Sequence, residues 1–150
     1  MTGIPAAPEL GVETTALVLA VLSALFALRV IGQLLVVVRA PRWLPPMDQW
    51  YSGLLPYPRL LATQLVICLG MAVLIGGLVG RAGWAVGPWP LVGAALVPIG
   101  YVYAAAMAVR YAVRMASRPD QRWLGGCIPI VFHVVLATWI VVLGAFWRAS

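Results

Sequence analysis

Long runs of apolar residues separated by short polar stretches are the dominant pattern of this chain. Four runs are long enough to cross the ~30 Å hydrocarbon core of a bilayer as helices, which takes about 20 residues each. They cover residues of about 14–38, 59–80, 88–113 and 124–147. Backbone groups in lipid must be hydrogen-bonded within their own segment, and the runs lack the alternation typical of barrel strands. The pattern therefore predicts an all-α integral membrane protein, with residues 1–150 forming one four-helix transmembrane domain.

The arginines are unevenly distributed between the two sides of these predicted spans. One side holds seven, which are Arg39, Arg42, Arg59, Arg110, Arg114, Arg118 and Arg122, and the other side holds two, Arg81 and Arg148. By the positive-inside rule, we expect loops 39–58 and 114–123 to be cytoplasmic and both termini to lie outside, in a bacterial inner membrane. Residues 1–13 contain no Lys or Arg, so we expect the first span to be retained rather than cleaved as a signal peptide.

The two predicted cytoplasmic loops share a short sequence pattern, which we call the elbow motif. Residues 48–56 read DQWYSGLLP and residues 120–129 read DQRWLGGCIP. The motif residues are Asp48, Trp50, Gly53 and Pro56 in the first copy and Asp120, Trp123, Gly126 and Pro129 in the second. Aspartate can cap a helix start, tryptophan favours the membrane interface, and glycine and proline allow a bend.

Repetition of the elbow motif predicts two helical hairpins of like orientation, with a short interfacial helix around 48–55 in the first cytoplasmic loop. In this arrangement Asp120 caps the fourth span. The alternative is chance agreement, because the chain contains 15 glycines, 12 prolines and seven tryptophans that could coincide without common ancestry.

Small residues recur at every fourth position of the second and third predicted spans. The rows are Ala72, Gly76 and Gly80 in the second span and Gly100, Ala104 and Ala108 in the third. Small residues allow helix backbones to approach closely, which favours helix association in lipid. We therefore expect the second and third spans to pack against each other along these rows. The alternative is that alanine and glycine are simply abundant in membrane helices.

Arg29 and Gln33 are polar residues one turn apart inside the first span. Arg29 lies ten residues, or about 15 Å, from the cytoplasmic end of that span. An arginine deep in a membrane costs about 2.5–3.5 kcal/mol on insertion scales, so it marks a functional candidate. No span contains a carboxylate to pair with it. Its partner is expected to be Gln33, a backbone carbonyl, a ligand anion, another protein chain or a lipid phosphate reached by snorkelling.

His133 is the only histidine of the chain and lies inside the fourth predicted span. A histidine can ligate the iron of haem or the metal of a chlorophyll-type pigment, alone or with Met71 or Met107 as a second haem ligand. The alternative is an ordinary hydrogen bond to a facing helix. No other sequence signal indicates a cofactor, and Cys68 and Cys127 lack the spacing of a zinc site or a disulfide framework.

A row of arginines, Arg110, Arg114, Arg118 and Arg122, recurs at fourfold spacing at the cytoplasmic end of the third span. By helical periodicity we expect this row to face away from the small-residue row of the same helix. Because the arginines of this basic chain flank hydrophobic spans, its net charge of +6 indicates contact with anionic membrane lipids or an acidic partner and not with nucleic acid.

Catalytic signatures are absent from the sequence, which has no glycine-rich phosphate loop, no HExxH or GxSxG motif and no paired carboxylates inside the membrane. We therefore expect a non-catalytic small subunit or accessory protein of a membrane complex, packing against partner subunits or further copies of itself. One alternative is a small transporter or channel for an anionic solute built on the two hairpins. Another is a protein that binds a haem or chlorophyll-type cofactor through His133.

Overall fold

The computed structural model of the chain describes residues 11–50, 56–117 and 127–149, apart from the side chain of Asp48. Within those ranges the chain forms six helices and no strand. They are α1 (Val12–Arg39), α2 (Met47–Trp50), α3 (Tyr57–Val79), α4 (Gly83–Val86), α5 (Pro90–Ser117) and α6 (Ile128–Ala149). The helices α1, α3, α5 and α6 are long and apolar enough to cross a membrane. This confirms the predicted all-helical class and the four predicted spans.

The ends of α1 and α3 are determined by local backbone conformation and by proline residues. After α1, Ala40 adopts a left-handed conformation with φ 42° and donates its N–H to the carbonyl oxygen of Val36 at 3.0 Å. Pro41 follows, and proline cannot continue a helix. Pro56 precedes α3, and Pro58 occupies its first turn, where the missing N–H leaves no hydrogen bond unmade.

The helix α1 occupies the centre of the bundle and packs against both α3 and α6. The contact with α3 is antiparallel, since Gln33 meets Gln64 near one end and Glu13 pairs with Arg81, just after α3, near the other. The contact with α6 is also antiparallel, since Arg29 lies against Phe132 and Ser23 against Trp139. The indole N–H of Trp139 in α6 donates to the Ser23 hydroxyl of α1 at 3.0 Å. The chain therefore places α1 and α6 side by side, with α3 on the outer side of α1.

The helices α5 and α6 approach most closely at three glycines, Gly93, Gly100 and Gly144. A Cβ atom on Gly100 would lie 2.5 Å from a methyl carbon of Val141, and one on Gly144 would lie 2.8 Å from the Cβ of Leu96. The absence of side chains at these positions is what lets the two backbones meet. Because α5 packs on α6, the four long helices follow the spatial order α3, α1, α6, α5.

The expected packing of the second span against the third is wrong. The helix α3 packs on α1 and α4, and α5 packs on α6, with no extended contact between α3 and α5 in the described residues. Ala72, Gly76 and Gly80 are exposed, and a Cβ on Gly76 would have no atom within 4 Å. The row in α5 is divided, because Gly100 is buried against α6 whereas Ala108 is exposed. Fourfold spacing identified a face that can pack closely without identifying its neighbour.

The elbow motif is only partly described by the structure. Gly53, Asp120, Trp123 and Gly126 lie outside the described residues. Asp48 is the second residue of α2 and Pro56 immediately precedes α3. Pro129 is the second residue of α6, so its position along its helix matches that of Pro58 and not the predicted equivalent, Pro56. The motif pairs Pro129 with Pro56, whereas position along the helix pairs it with Pro58. The two alignments therefore differ by two residues at this proline.

Candidate functional site

Arg29 is buried, with 6% of the residue's surface exposed. Its Nη2 donates to the backbone carbonyl oxygen of Trp50 at 3.3 Å, and its Cζ lies 5.9 Å from the centre of the Phe132 ring in α6. Its Nε has no hydrogen-bond partner in the described part of the chain. Of the partners proposed for Arg29, the structure provides a backbone carbonyl and an aromatic face, and neither neutralises its charge.

Trp50 is buried because the segment after α1 turns back and lays α2 against α1 and α6. Its six-membered ring covers Gly32, where a Cβ would lie 2.7 Å from the indole carbon Cη2. The indole N–H donates to the carbonyl oxygen of Pro45 at 2.9 Å, which holds the ring in place. Trp50 was expected to be an anchor in the lipid headgroup layer, whereas its ring is packed into the protein and its carbonyl positions Arg29.

Gln33 and Gln64 form a buried amide pair between α1 and α3, with 0% and 4% of their surfaces exposed. The Nε2 group of Gln64 donates to Oε1 of Gln33 at 3.2 Å. Nε2 of Gln33 and Oε1 of Gln64 have no partner among the described residues. One donor and one acceptor are thus left inside the bundle, one helical turn from Arg29.

His133 forms a hydrogen bond through Nδ1 with the hydroxyl of Tyr103, and the two rings meet edge to face. Tyr103 lies on α5, which faces α6, so the predicted alternative of a hydrogen bond to a facing helix is confirmed. Binding of a haem or chlorophyll-type cofactor at His133 remains a prediction. Arg110 lies within electrostatic range of both rings, which places this pair in a positively charged environment with Arg29.

Most of these polar side chains, but not Gln33, meet at a cavity of about 230 Å³ lined by residues from all four long helices. The polar side chains lining it are those of Arg29, Thr63, Gln64, Tyr103 and His133. The remaining lining is apolar, and no carboxylate belongs to the described lining. The cavity lies where α3 and α5, which do not pack on each other, both border the α1–α6 pair. It is therefore a polar, positively charged recess in an otherwise apolar bundle.

Comparisons of this chain with protein-family models, with curated proteins and with solved structures find no significant match. The functional argument consequently depends on the geometry of the chain itself.

The predicted arginine row of the third span reaches the inner side of α5. Arg110 and Arg114 are half-buried, as are Tyr103 and Met107 on the same side of the helix, whereas Ala108 is exposed. These two arginines therefore lie on a different side of α5 from Ala108, and contact of the row with anionic lipid or an acidic partner remains a prediction. Arg118 and Arg122 lie outside the described residues.

Sequence reasoning selected Arg29, Gln33 and His133 but missed three residues that complete the site. Gln64 could have been found, because a glutamine inside a predicted span is itself unusual. Tyr103 and Gly32 gave no such signal, since tyrosine and glycine are ordinary residues of membrane helices. The roles of Tyr103 and Gly32 depend on which helices are neighbours, and the periodicity of the sequence does not identify the neighbours of a helix.

We expect replacement of Gln33 with leucine to destabilise the fold because it leaves the buried Gln64 amide without a partner. The double variant Gln33→Leu/Gln64→Leu is expected to lose less than the sum of the two single variants. Interhelical hydrogen bonds in membranes contribute about 0.6–1.7 kcal/mol, which sets the expected coupling energy. Unfolding titrations in mixed micelles provide the double-mutant cycle.

Thr63 supplies the control for this cycle, because its hydroxyl donates to the carbonyl of Arg59 in its own helix. Gln33→Leu combined with Thr63→Ala should therefore be additive. Additivity of the two glutamine variants as well would show that the amide pair contributes no interhelical stability.

Proposed function

We propose that this protein is a non-catalytic subunit or accessory protein of a membrane complex, and that α3 provides its association surface. The observation that carries the proposal is the exposed small-residue row of α3, Ala72, Gly76 and Gly80, which faces away from every other described helix. In lipid, such a row favours close packing with another helix because burial of apolar surface contributes little there. The occupant is a helix of a partner subunit or of a second copy.

The position of α3 supports its role as the association surface, because α3 is the outermost helix on one side of the bundle. One side of α3 is committed to α1 through Gln64, Met71 and Leu78, which are all buried. On the opposite side, a Cβ atom on Gly76 would have no neighbour within 4 Å. The row itself presents only small residues over about two helical turns, which permits close contact with the backbone of an approaching helix.

For the membrane arrangement we propose two like-oriented hairpins, the first containing α1 and α3 and the second α5 and α6. Both termini would lie outside a bacterial inner membrane, with loops 39–58 and 114–123 in the cytoplasm, as the arginine distribution favours. In this orientation α2 lies near the cytoplasmic interface, and the cavity lies toward the cytoplasmic ends of the spans. Half-buried Arg110 and Arg114 occupy the same end of α5.

We expect Gly76→Leu to weaken association of the complex by about tenfold or more, equivalent to about 1.4 kcal/mol, because the added side chain occupies the space needed by the approaching helix. Gly70→Leu is the matched control. It adds the same side chain to a glycine that is also uncrowded, six residues away and about 120° around the helix. The mass of the complex extracted in mild detergent, measured by native mass spectrometry, reports the change.

Co-purification of wild-type protein with another chain, or as an oligomer, is required before the variants are informative. A monodisperse wild-type monomer with no companion protein contradicts the proposal. Equal dissociation of Gly76→Leu and Gly70→Leu would remove α3 as the association surface while leaving the complex itself established.

A small transporter or channel for an anionic solute is the second candidate. The cavity that contains Arg29 favours it, since an anion would compensate the buried positive charge. Anion flux through liposomes containing the purified protein separates this candidate from the first, because an accessory subunit alone should give none.

A further inference from the structure

Arg29 lines two adjoining cavities of different character. The first is the polar cavity of about 230 Å³ described above. The second, of about 340 Å³, lies beneath the segment that carries Trp43 and Trp50, and Phe132 also lines both cavities. The shared Arg29 and Phe132 make the two cavities neighbours on opposite sides of one buried cation. A ligand that fits both must be polar and anionic at one end and apolar at the other.

The polar side offers an unused hydrogen-bond donor to an anion. Arg29 lines this cavity, and its Nε is a buried donor without a partner in the described residues. Among the described residues, Arg29 makes one hydrogen bond, and its acceptor is the neutral backbone carbonyl of Trp50. A buried cation of this kind is stabilised far more by an anionic oxygen than by a carbonyl, because charge-assisted hydrogen bonds are shorter and stronger than neutral ones. No described carboxylate lines either recess at Arg29.

The second cavity is suited to a hydrocarbon chain. Apart from Arg29, its lining consists of apolar side chains, two tryptophans and a glycine, which are Leu28, Ile31, Gly32, Leu35, Trp43, Leu44, Trp50 and Phe132. Leu28, Ile31 and Trp43 of this lining are exposed, so the cavity opens to the outside of the bundle, as an acyl chain that extends into the bilayer requires. A free inorganic anion would gain nothing from this lining. The apolar cavity therefore favours a lipid over a small solute.

The depth of the site is also compatible with a lipid headgroup. Gln64 lies seven residues after the start of α3 and His133 five residues after the start of α6. At 1.5 Å per residue these positions are about 10 Å and 8 Å inside the helix starts. Arg29 is farther from the end of its own helix because α1 extends beyond the starts of α3 and α6. The cavity thus lies in the half of the bundle that contains the starts of α3 and α6 and the end of α1.

We propose that these two cavities form a binding site for one acidic phospholipid. The headgroup phosphate accepts a hydrogen bond from Arg29 in the polar cavity, and one acyl chain occupies the apolar cavity under Trp43 and Trp50. The site is independent of the association surface on α3, which lies on another side of the bundle.

The primary test compares binding of phosphatidylglycerol with binding of phosphatidylcholine of the same chain length to the full-length protein in neutral detergent. Native mass spectrometry measures the bound fraction. Wild-type protein is expected to prefer phosphatidylglycerol by about tenfold or more, and Arg29→Gln is expected to abolish that preference. Arg39→Gln, at the exposed end of the same helix, should weaken binding by less than about fivefold, which is the effect of a generic surface arginine.

Two further arms separate a lipid from a free anion. Millimolar inorganic phosphate should not displace the phospholipid, and dihexanoyl phosphatidylglycerol should bind more weakly than the long-chain form. Leu28→Trp should weaken binding of the long-chain lipid with little effect on the dihexanoyl form, since Leu28 is 64% exposed and its replacement fills only the apolar cavity. This variant keeps the proposal testable if Arg29→Gln does not fold.

Equal affinity for phosphatidylglycerol and phosphatidylcholine overturns the proposal, as does equal loss of binding in Arg29→Gln and Arg39→Gln. If inorganic phosphate displaces the phospholipid, and if long-chain and dihexanoyl phosphatidylglycerol bind equally well, the site binds a small anion and the lipid proposal is wrong. None of these results bears on whether the protein associates with partners through α3.

Discussion

Replacing Gly93 with alanine is expected to lower the free energy of unfolding by about 2 kcal/mol, within the range for overpacked cores. The added Cβ would collide with the backbone nitrogen of Arg148 and lie 2.6 Å from the carbonyl oxygen of Gly144. Both obstacles are backbone atoms of α6, which cannot move aside as the end of a flexible side chain could. The two helices must separate, and the contacts at Gly100 and Gly144 weaken with them. Titration with SDS in mixed micelles measures the loss.

Gly76→Ala is the matched control for this prediction. It makes the same chemical change at a helical glycine whose added Cβ would meet nothing within 4 Å. In dilute detergent, where the protein is dissociated from partners, the control should be neutral or stabilising by about 0.5 kcal/mol, because alanine favours helix more than glycine does. A Gly93→Ala variant as stable as Gly76→Ala would show that α5 and α6 are not in close backbone contact.

Replacing Gly32 with valine is expected to displace the Trp50 ring from α1 and to cost about 2–3 kcal/mol of stability. The indole carbon Cη2 lies 2.7 Å from the position of the new Cβ. The ring cannot move away freely, because its indole N–H donates a hydrogen bond to the carbonyl oxygen of Pro45. Displacement of Trp50 also moves the carbonyl that accepts from Arg29. The indole N–H resonance of Trp50, assigned from a Trp50→Phe spectrum, should shift and broaden in a ¹⁵N-labelled sample.

Gly70→Val serves as the control, since it introduces the same β-branched residue at an exposed glycine of α3 with open space around it. It should leave the Trp50 resonance unchanged. If the Trp50 resonance is unaffected by Gly32→Val as well, the segment after α1 does not cover Gly32, and Arg29 is not positioned by Trp50.

The architecture was largely predictable because it depends on composition and segment length. A chain that is 63% hydrophobic with 9% charged residues cannot bury its apolar surface in one soluble domain of this size, and each run of about 20 apolar residues must be helical in lipid. The observed bounds of the long helices differ from the predicted ones by four residues at most, as at Ser117 and Ile128. Proline positions account for several of these ends.

Residues of the candidate site were predictable from the sequence only where the residue type is itself unusual in a membrane span. Arg29 is costly in any membrane helix, and Gln33 and His133 are polar in an apolar context, so each could be selected without knowledge of its neighbours. Trp50 could not be placed correctly, because an indole satisfies both the lipid interface and a buried glycine surface. Its location was decided by the missing side chain of Gly32, on a helix one loop away.

Helix number, helix class and the presence of a buried cation follow from the chain alone, since they depend on local apolarity and on the cost of charge in lipid. The neighbours of each helix do not follow. Small-residue rows occur on α3 and α5, yet α5 uses Gly93 and Gly100 against α6 while α3 leaves Gly76 exposed. In lipid nearly any apolar face can be left uncovered at little cost, so pairing depends on the fit of particular backbones. That fit brings Arg29, Gln64 and His133 to one cavity.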